Sequence, residues 1–409
     1  MVERTEYLEQ LKAWKNEKVI KVVTGIRRCG KSTLLQQYKD FLLSSGVTEE
    51  QIIFINFEDL EYEDLLDYKK LYSYLTERLS KDKETYIFLD EIQKVPAFEK
   101  VVDSLYIKDY VDIYITGSNA YLLSGELATL LSGRYIEISM LPLSFSEFCR
   151  LKNSSESKDN LFDEYLRDGG FPYVTVMDKS IEKIDMYLEG IYNTVIVKDI
   201  EERQNRRERD SDKRKITDIA LLKSIANFLA SSIGNPISVK KIADYITSTG
   251  RKVSFNTVND YIEALEESFV FYPAERYDIV GKQTLKMNQK IYIVDLGIRR
   301  HLLSRKNYDL GFMLENVIFF ELLRRGYKVN VGKVGATEVD FVAQKSGRIH
   351  YFQVTASLME ESTFEREITP LRNISDNYPK TILTLDRHTL GDYEGIEVVN
   401  AVDWLMSKE

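Results

Sequence analysis

The stretch Gly25 to Ser32, GIRRCGKS, constrains this chain more than any other, because a glycine-rich turn closing on Lys-Ser is built to hold phosphate. The pattern GxxxxGK[ST] is met at every fixed position. It follows an apolar run, VIKVVTG (19–25), and opens a helix-like stretch, STLLQQYKDFLL. Strand, glycine loop and helix in that order are the context the chemistry needs. Gly25 and Gly30 let backbone amides close around a β-phosphate, and the helix start adds its dipole. Lys31 would reach the β- and γ-phosphates and Ser32 would ligate Mg²⁺, with Thr33 beside it in the first helical turn. At the variable loop positions, Arg27 and Arg28 would face phosphate or a neighbouring acid, and Cys29 is expected to be inert.

Four further strand candidates accompany the first: IIFINF (52–57), TYIFLD (85–90), VDIYITG (111–117) and RYIEIS (134–139). Each is a nearly unbroken apolar run, as parallel strands covered on both faces require. Helical stretches fill most gaps, the alternation of a wound parallel sheet. The run TYIFLD ends in Asp90-Glu91. In a phosphate-loop sheet the first carboxylate holds Mg²⁺ through water and the second polarises the attacking water. The next strand ends ITGSNA, where Ser118 or Asn119 would orient water and sense the γ-phosphate; the two cannot be separated by pattern. The competing reading of that turn is an ordinary helix cap. Arg134, in LLSGRYIEI, is a candidate finger reaching a neighbouring copy, or else a structural arginine.

Composition narrows the partners. A net charge of −9 and a pI near 5.3 argue against a protein whose main work is coating nucleic acid. Two cysteines, Cys29 and Cys149, form no framework, and three scattered histidines lack zinc spacing. The opening MVERTEYLEQLKAWKNEK is charged where a secretory signal would be apolar, and no run approaches the ~18–20 residues that span a bilayer. The expectation is a cytoplasmic protein with no membrane partner.

After Pro142 the character changes. Four segments are expected: a core over 1–145, a helical lid and connector over 146–215, a winged-helix-like unit over 216–285 and an α/β domain over 286–409. The connector 198–215 carries eight Lys/Arg and six Asp/Glu, a solvated mixture. In the third unit DIALLKSIANFLASSI, SVKKIADYITSTG and SFNTVNDYIEALEESF read as helices, followed by β-like FVFYPAERYD. Its third helix, Ser254 to Ser268, holds Asp260, Glu263, Glu266 and Glu267 and no cation, which opposes duplex binding. Arg251, Lys252, Lys282, Lys286 and Lys290 flank it and would be the cations left to touch a backbone. From Lys290 onward KIYIVD, YKVNVG, EVDFVAQ, IHYFQVT, KTILTL and IEVVNA read as strands around the helix GFMLENVIFFELLRRG.

The strings GIRRCGKSTLLQQ, INFED, FLDEIQ, ITGSNA, LLSGRYIEISMLPLSFSEF, GGFP and DLG together resemble the prokaryotic AAA-type ATPases that carry a C-terminal domain of unknown function. The resemblance implies an α/β fold: a P-loop AAA-type parallel sheet with a helical lid, a winged-helix-like unit and a C-terminal domain like a PD-(D/E)xK restriction endonuclease. Such a nuclease needs a helix Glu, a strand Asp and then Glu-x-Lys. Here Glu315 and Asp340 are present, but Gln353 and Thr355 stand at the last two positions, so cleavage is not expected. The expected function is an ATP-hydrolysing switch that uses ATP and Mg²⁺, with Glu91 as base, acting on a protein client from a homo-oligomer. The alternatives are a DNA-binding or regulatory module with negligible turnover, and an ATP-dependent nuclease.

Overall fold

A computed structural model of the chain describes residues 2–118, 131, 133–177, 180–195, 218–303 and 309–407. Asn119 and the connector 198–215 lie outside the described residues, as does the side chain of Lys286. The chain separates into two compact units, Met1–Pro142 with Glu267–Phe269, and Leu143–Glu266 with Val270–Glu409. Among the described residues no helix is long and apolar enough to cross a membrane.

The first unit carries five parallel strands, β1 (Ile20–Thr24), β2 (Ile52–Asn56), β3 (Thr85–Asp90), β4 (Val111–Gly117) and β5 (Tyr135–Ser139), in the order β2-β3-β4-β1-β5. Each lies within a residue of its expected run. Strands β1 and β3 are buried at every position, which is why they read as unbroken apolar runs rather than as alternation. Helix α1 (Thr5–Ala13) packs on α2 (Lys31–Ser44), whose Tyr38 meets Tyr114 on the sheet at 5.0 Å between ring centres. The opposite face lays Ile87, Leu89, Ile113 and Ile115 against α3 (Tyr68–Thr76) and α4 (Phe98–Tyr106). One consequence of the strand order matters most for the site. Strand β4 lies between β1 and β3, so the end of β4 bridges the phosphate loop and the acidic pair.

The second unit begins with α5 (Phe145–Lys152), α6 (Lys158–Asp168), α7 (Pro172–Val176) and α8 (Ile181–Asn193). Ser144 caps α5 in a reciprocal box with Glu147, the start signal the sequence carries as LSFSEF. Then come α9 (Ile219–Ser231), α10 (Val239–Ser248) and α11 (Phe255–Glu267), capped at α9 by Asp218 and at α10 by Ser238.

Eight strands form the second sheet: β6 (Phe271–Asp278), β7 (Gln283–Ile293), β8 (Lys328–Val334), β9 (Thr337–Lys345), β10 (Arg348–Thr355), β11 (Lys380–Thr384), β12 (Gly391–Tyr393) and β13 (Ile396–Asn400). Their order is β12-β13-β11-β10-β9-β8-β6-β7. This corrects the sequence reading at one point. The stretch FVFYPAERYD, expected with the helical unit, is β6; it pairs with β8 in parallel and with β7 in a hairpin. The expected boundary at 285/286 therefore falls inside β7, because its pairing partners come from later in the chain.

Between β7 and α12 (Leu296–Leu303) stands Asp295, whose Oδ2 accepts from the Gly170 amide at 2.7 Å and whose Oδ1 accepts from Ile298 at 3.1 Å. Gly169 has φ +83°, and a Cβ there would sit 2.2 Å from Asp295 Oδ1. At Gly297 a Cβ would sit 2.3 Å from the Asp168 carbonyl oxygen. The GGFP and DLG strings are two halves of one contact. Burial pushes the Asp295 carboxyl up to about 6, against the three amides that bond it. Helices α13 (Leu310–Arg324) and α14 (Glu361–Arg372) pack on the sheet, with Tyr292 stacked on Phe319 at 4.2 Å.

Candidate functional site

The phosphate loop needs glycine at both ends for different reasons. Gly25 sits at φ +140°, and a Cβ there would lie 2.1 Å from the Met140 carbonyl oxygen. Gly30 takes φ +109° as the residue before α2, a left-handed turn that glycine makes without strain. The loop is pinned from outside by Arg4. Its Nη1 donates to the Cys29 carbonyl at 3.0 Å and its Nη2 to Leu141 at 2.8 Å. Nothing local in MVERTEY marks that arginine, so sequence reasoning passed it by. Burial pushes the Cys29 thiol up, opposed by Lys31 and Arg4, so it is not poised as a thiolate. Arg27 lies 3.5 Å from Glu58, Arg28 is exposed at φ +66° and Thr33 is half-buried in the first turn of α2.

Lys31 is buried and its ammonium donates to the Gly25 carbonyl at 3.0 Å, to Ile26 at 3.3 Å and to Ser118 Oγ at 3.1 Å. Ser118 in turn aims its O–H between the two oxygens of Glu91, at 2.6 and 2.8 Å. The direct Lys31–Glu91 separation is 3.8 Å. Gln93 Nε2 donates to Glu91 Oε2 from the other side. Burial works to raise the Glu91 pKa, but Lys31, Ser118, Gln93 and Arg27 outweigh it, and the carboxyl lies below its ordinary value. The group is therefore charged and able to accept a proton. Its backbone is left-handed, φ +56°, which sets the side chain toward the loop and not along the strand.

Asp90 is arranged differently. Its Oδ1 accepts from the Thr116 hydroxyl at 2.5 Å, and that same hydroxyl oxygen accepts from the Glu91 amide at 2.9 Å. Its Oδ2 is buried and takes no hydrogen bond from the described residues. Burial raises the Asp90 pKa, while the nearby hydroxyls of Ser32 and Thr116 pull it back. A buried carboxylate oxygen left open beside the Ser32 hydroxyl fits the hard oxygen ligation of Mg²⁺. Thr116 was missed as a functional residue, although the signal was legible. Positions 116 and 118 lie two apart at one strand end and so face the same side.

Comparison with known proteins meets this geometry. Residues 17–149 match the AAA domain family, and residues 159–309 match a domain of unknown function. An uncharacterized protein of Haemophilus influenzae is 42% identical over 410 residues, spanning 99% of this chain and 99% of its own. The chain belongs to this AAA-domain family. The uncharacterized protein MJ1544 of Methanocaldococcus jannaschii is 31% identical over 94% of this chain and 85% of its own. Among solved structures, a Walker-type ATPase of Pyrococcus abyssi has 16% identity and a TM-score of 0.48, covering 74% of this chain and 96% of that one. The AAA family implies nucleotide binding, usually with Mg²⁺.

Within the AAA domain, Arg134 is not part of the cluster around Lys31. Its carbonyl oxygen accepts from the amide of Ile20 at the start of β1, whereas the phosphate loop follows the end of that strand. Its guanidinium pairs with Asp103 and lies 5.3 Å from the Tyr106 ring centre, both on α4.

The second unit brings the expected nuclease positions together in a cleft of about 530 Å³. Glu315, Asp340, Gln353 and Thr355 all line it, and so does Lys290. Here the structure corrects the sequence reading. Lys290, expected as a surface cation, is buried, with its Nζ 2.9 Å from Glu315, 2.9 Å from Glu338 and 3.6 Å from Asp340. Burial lowers the lysine's pKa, but those three acids reverse the effect and hold it above the ordinary value. The ammonium is locked in its charged form.

Proposed function

We propose that this chain binds ATP with Mg²⁺ and hydrolyses it, coupling turnover to a conformational switch on a protein client. The observation that carries the reading is the Lys31–Ser118–Glu91 chain at the ends of three neighbouring strands. In it, the ammonium that would meet the β- and γ-phosphates is wired to the carboxylate that would take a proton from water. Lys31 moving to phosphate gives up its bond to Ser118, and the freed hydroxyl and Glu91 can then align water instead of each other. Ser32 and the open oxygen of Asp90 would hold Mg²⁺, which supplies charge neutralisation at the phosphates. Loop amides from Gly25 to Lys31 cradle the phosphates.

Arg134 would act only on a neighbouring copy, since it stands at the opposite strand end from its own loop; that is the reason to expect a homo-oligomer. A DNA partner is the weaker reading. Helix α11 keeps its four acids, and Lys290 is no longer free to meet a backbone. The test is phosphate release at steady state, with and without duplex and single-stranded DNA at stated salt. Many turnovers without DNA are expected. A single release of phosphate per chain that then stops would make this a nucleotide-binding module, not an ATPase.

A further inference from the structure

A nuclease-like C-terminal domain implies a divalent cation among Glu315, Asp340 and the residue at 353. The donors present do not suit one. Glu315 Oε1 is already taken by the Lys290 ammonium and by the Tyr292 hydroxyl at 2.6 Å. Asp340 Oδ2 accepts from the Val354 amide at 2.9 Å. The Gln353 oxygen accepts from the Asp340 amide at 3.2 Å, and its nitrogen donates to Glu367 at 2.7 Å. A metal needs free oxygens at about 2.0–2.6 Å, whereas these acids surround the ammonium at 2.9–3.6 Å, the separations of ion-paired hydrogen bonds. Among the described residues no three acids, histidines or cysteines are grouped to hold a metal ion.

We propose that Lys290 is a built-in cation that stands where a divalent metal would stand, so that this cleft is a metal-free site. The charge argument runs in one direction. Two buried carboxylates, Glu315 and Asp340, and the half-buried Glu338 converge on one point, and they repel each other unless a positive charge sits between them. In metal-dependent sites a divalent ion supplies that charge; here the chain carries it on β7, a strand distant in sequence from the acids of β9. The neutral Gln353 fits the same charge balance: the acids of the cleft, Glu367 among them, already exceed one ammonium, and a carboxylate at 353 would add to that excess. The cleft opens to solution, so exclusion of metal rests on the lysine and not on access. It also follows that no phosphodiester is cut there through a bound metal.

The test is Mn²⁺ binding to the full chain without nucleotide, followed by the paramagnetic signal of free Mn²⁺ and by thermal unfolding. For the parent protein, binding attributable to this cleft should be absent: Asp340→Asn should leave the Mn²⁺ titration unchanged. Lys290→Met should gain one site, at least tenfold tighter than anything in the parent, and Lys290→Met with Asp340→Asn should lose it. Parent Mn²⁺ binding that vanishes in Asp340→Asn would overturn the proposal, as would a folded Lys290→Met with no new site. If Lys290→Met does not fold alone, millimolar Mn²⁺ should restore cooperative unfolding, and failure to do so would equally overturn it.

Discussion

Each unit brings a lysine to carboxylates, and the two arrangements differ in what holds the ammonium. Lys31 rests on two loop carbonyls and one hydroxyl, and it meets its nearest acid at 3.8 Å with Ser118 between them. Lys290 touches two acids directly at 2.9 Å and a third at 3.6 Å. Neutral acceptors release a cation readily when a more charged ligand arrives, whereas three acids closing on one buried ammonium do not. The first lysine is placed to move onto phosphate, and the second is placed to stay. On the two proposed readings the same residue type serves a switch in one unit and a lock in the other, and the difference lies in the partners' charge.

Exchanging the lysines' roles is the strongest way to break this contrast. Lys290→Met should destabilise the chain by about 3–5 kcal/mol, the cost of leaving buried carboxylates without their partner, while ATP affinity stays as in the parent. Chemical denaturation and nucleotide titration check both halves. Lys31→Ala should do the converse, losing about 2–5 kcal/mol of ATP binding with folding stability held within about 1 kcal/mol. If both variants lost stability and neither lost nucleotide, the distinction between mobile and fixed cations would fail.

A finer probe is the hydroxyl between Lys31 and Glu91. Ser118→Ala should lower turnover roughly tenfold, the scale of one hydrogen bond to a charged group, with ATP affinity nearly unchanged. A large loss of affinity instead would mean that Ser118 positions the lysine rather than the base.

The smallest effect concerns an acid held up by burial and by a second acid beside it. Glu266 on α11 is pushed up to about 7 by burial and by Glu263, and its Oε1 takes no hydrogen bond from the described residues. A raised carboxyl pKa favours the folded chain below the ordinary value near 4.5 and loses that advantage as pH rises through about 7. Glu266→Gln should therefore match the parent near pH 4.5 and exceed its stability at pH 8, by on the order of 1 kcal/mol. Unfolding midpoints at the two pH values decide it; equal midpoints at pH 8 would show that the buried carboxyl is better solvated than its surroundings suggest.

Local pattern and long-range pairing were legible to different degrees. The AAA sheet was readable because its central strands β1, β3 and β4 are covered on both faces and so appear as unbroken apolar runs. Its strand order was not readable, and with it the bridging place of Ser118 stayed hidden until β4 was seen between β1 and β3. Lys290 was misread because its alternation in LKMNQKIYIVD looks like an exposed position, and the acids that bury it lie 25 residues and more away. Strand β6 was misassigned for the same reason, its parallel partner β8 being far along the chain. GGFP and DLG were visible as strings, but the carboxylate that joins them reaches 125 residues back to Gly170.

The central claim is that Glu91 is the proton acceptor of an ATP hydrolysis begun at Lys31. It is tested most directly by one comparison, ATP affinity and steady-state phosphate release of Glu91→Gln beside the parent. The amide keeps the size of the side chain and removes its basicity. ATP should bind equally well to both proteins, and phosphate release should fall by about 10²-fold or more in the variant, the scale of losing a general base. Equal rates in the two proteins would contradict the account and pass the role of base to another group.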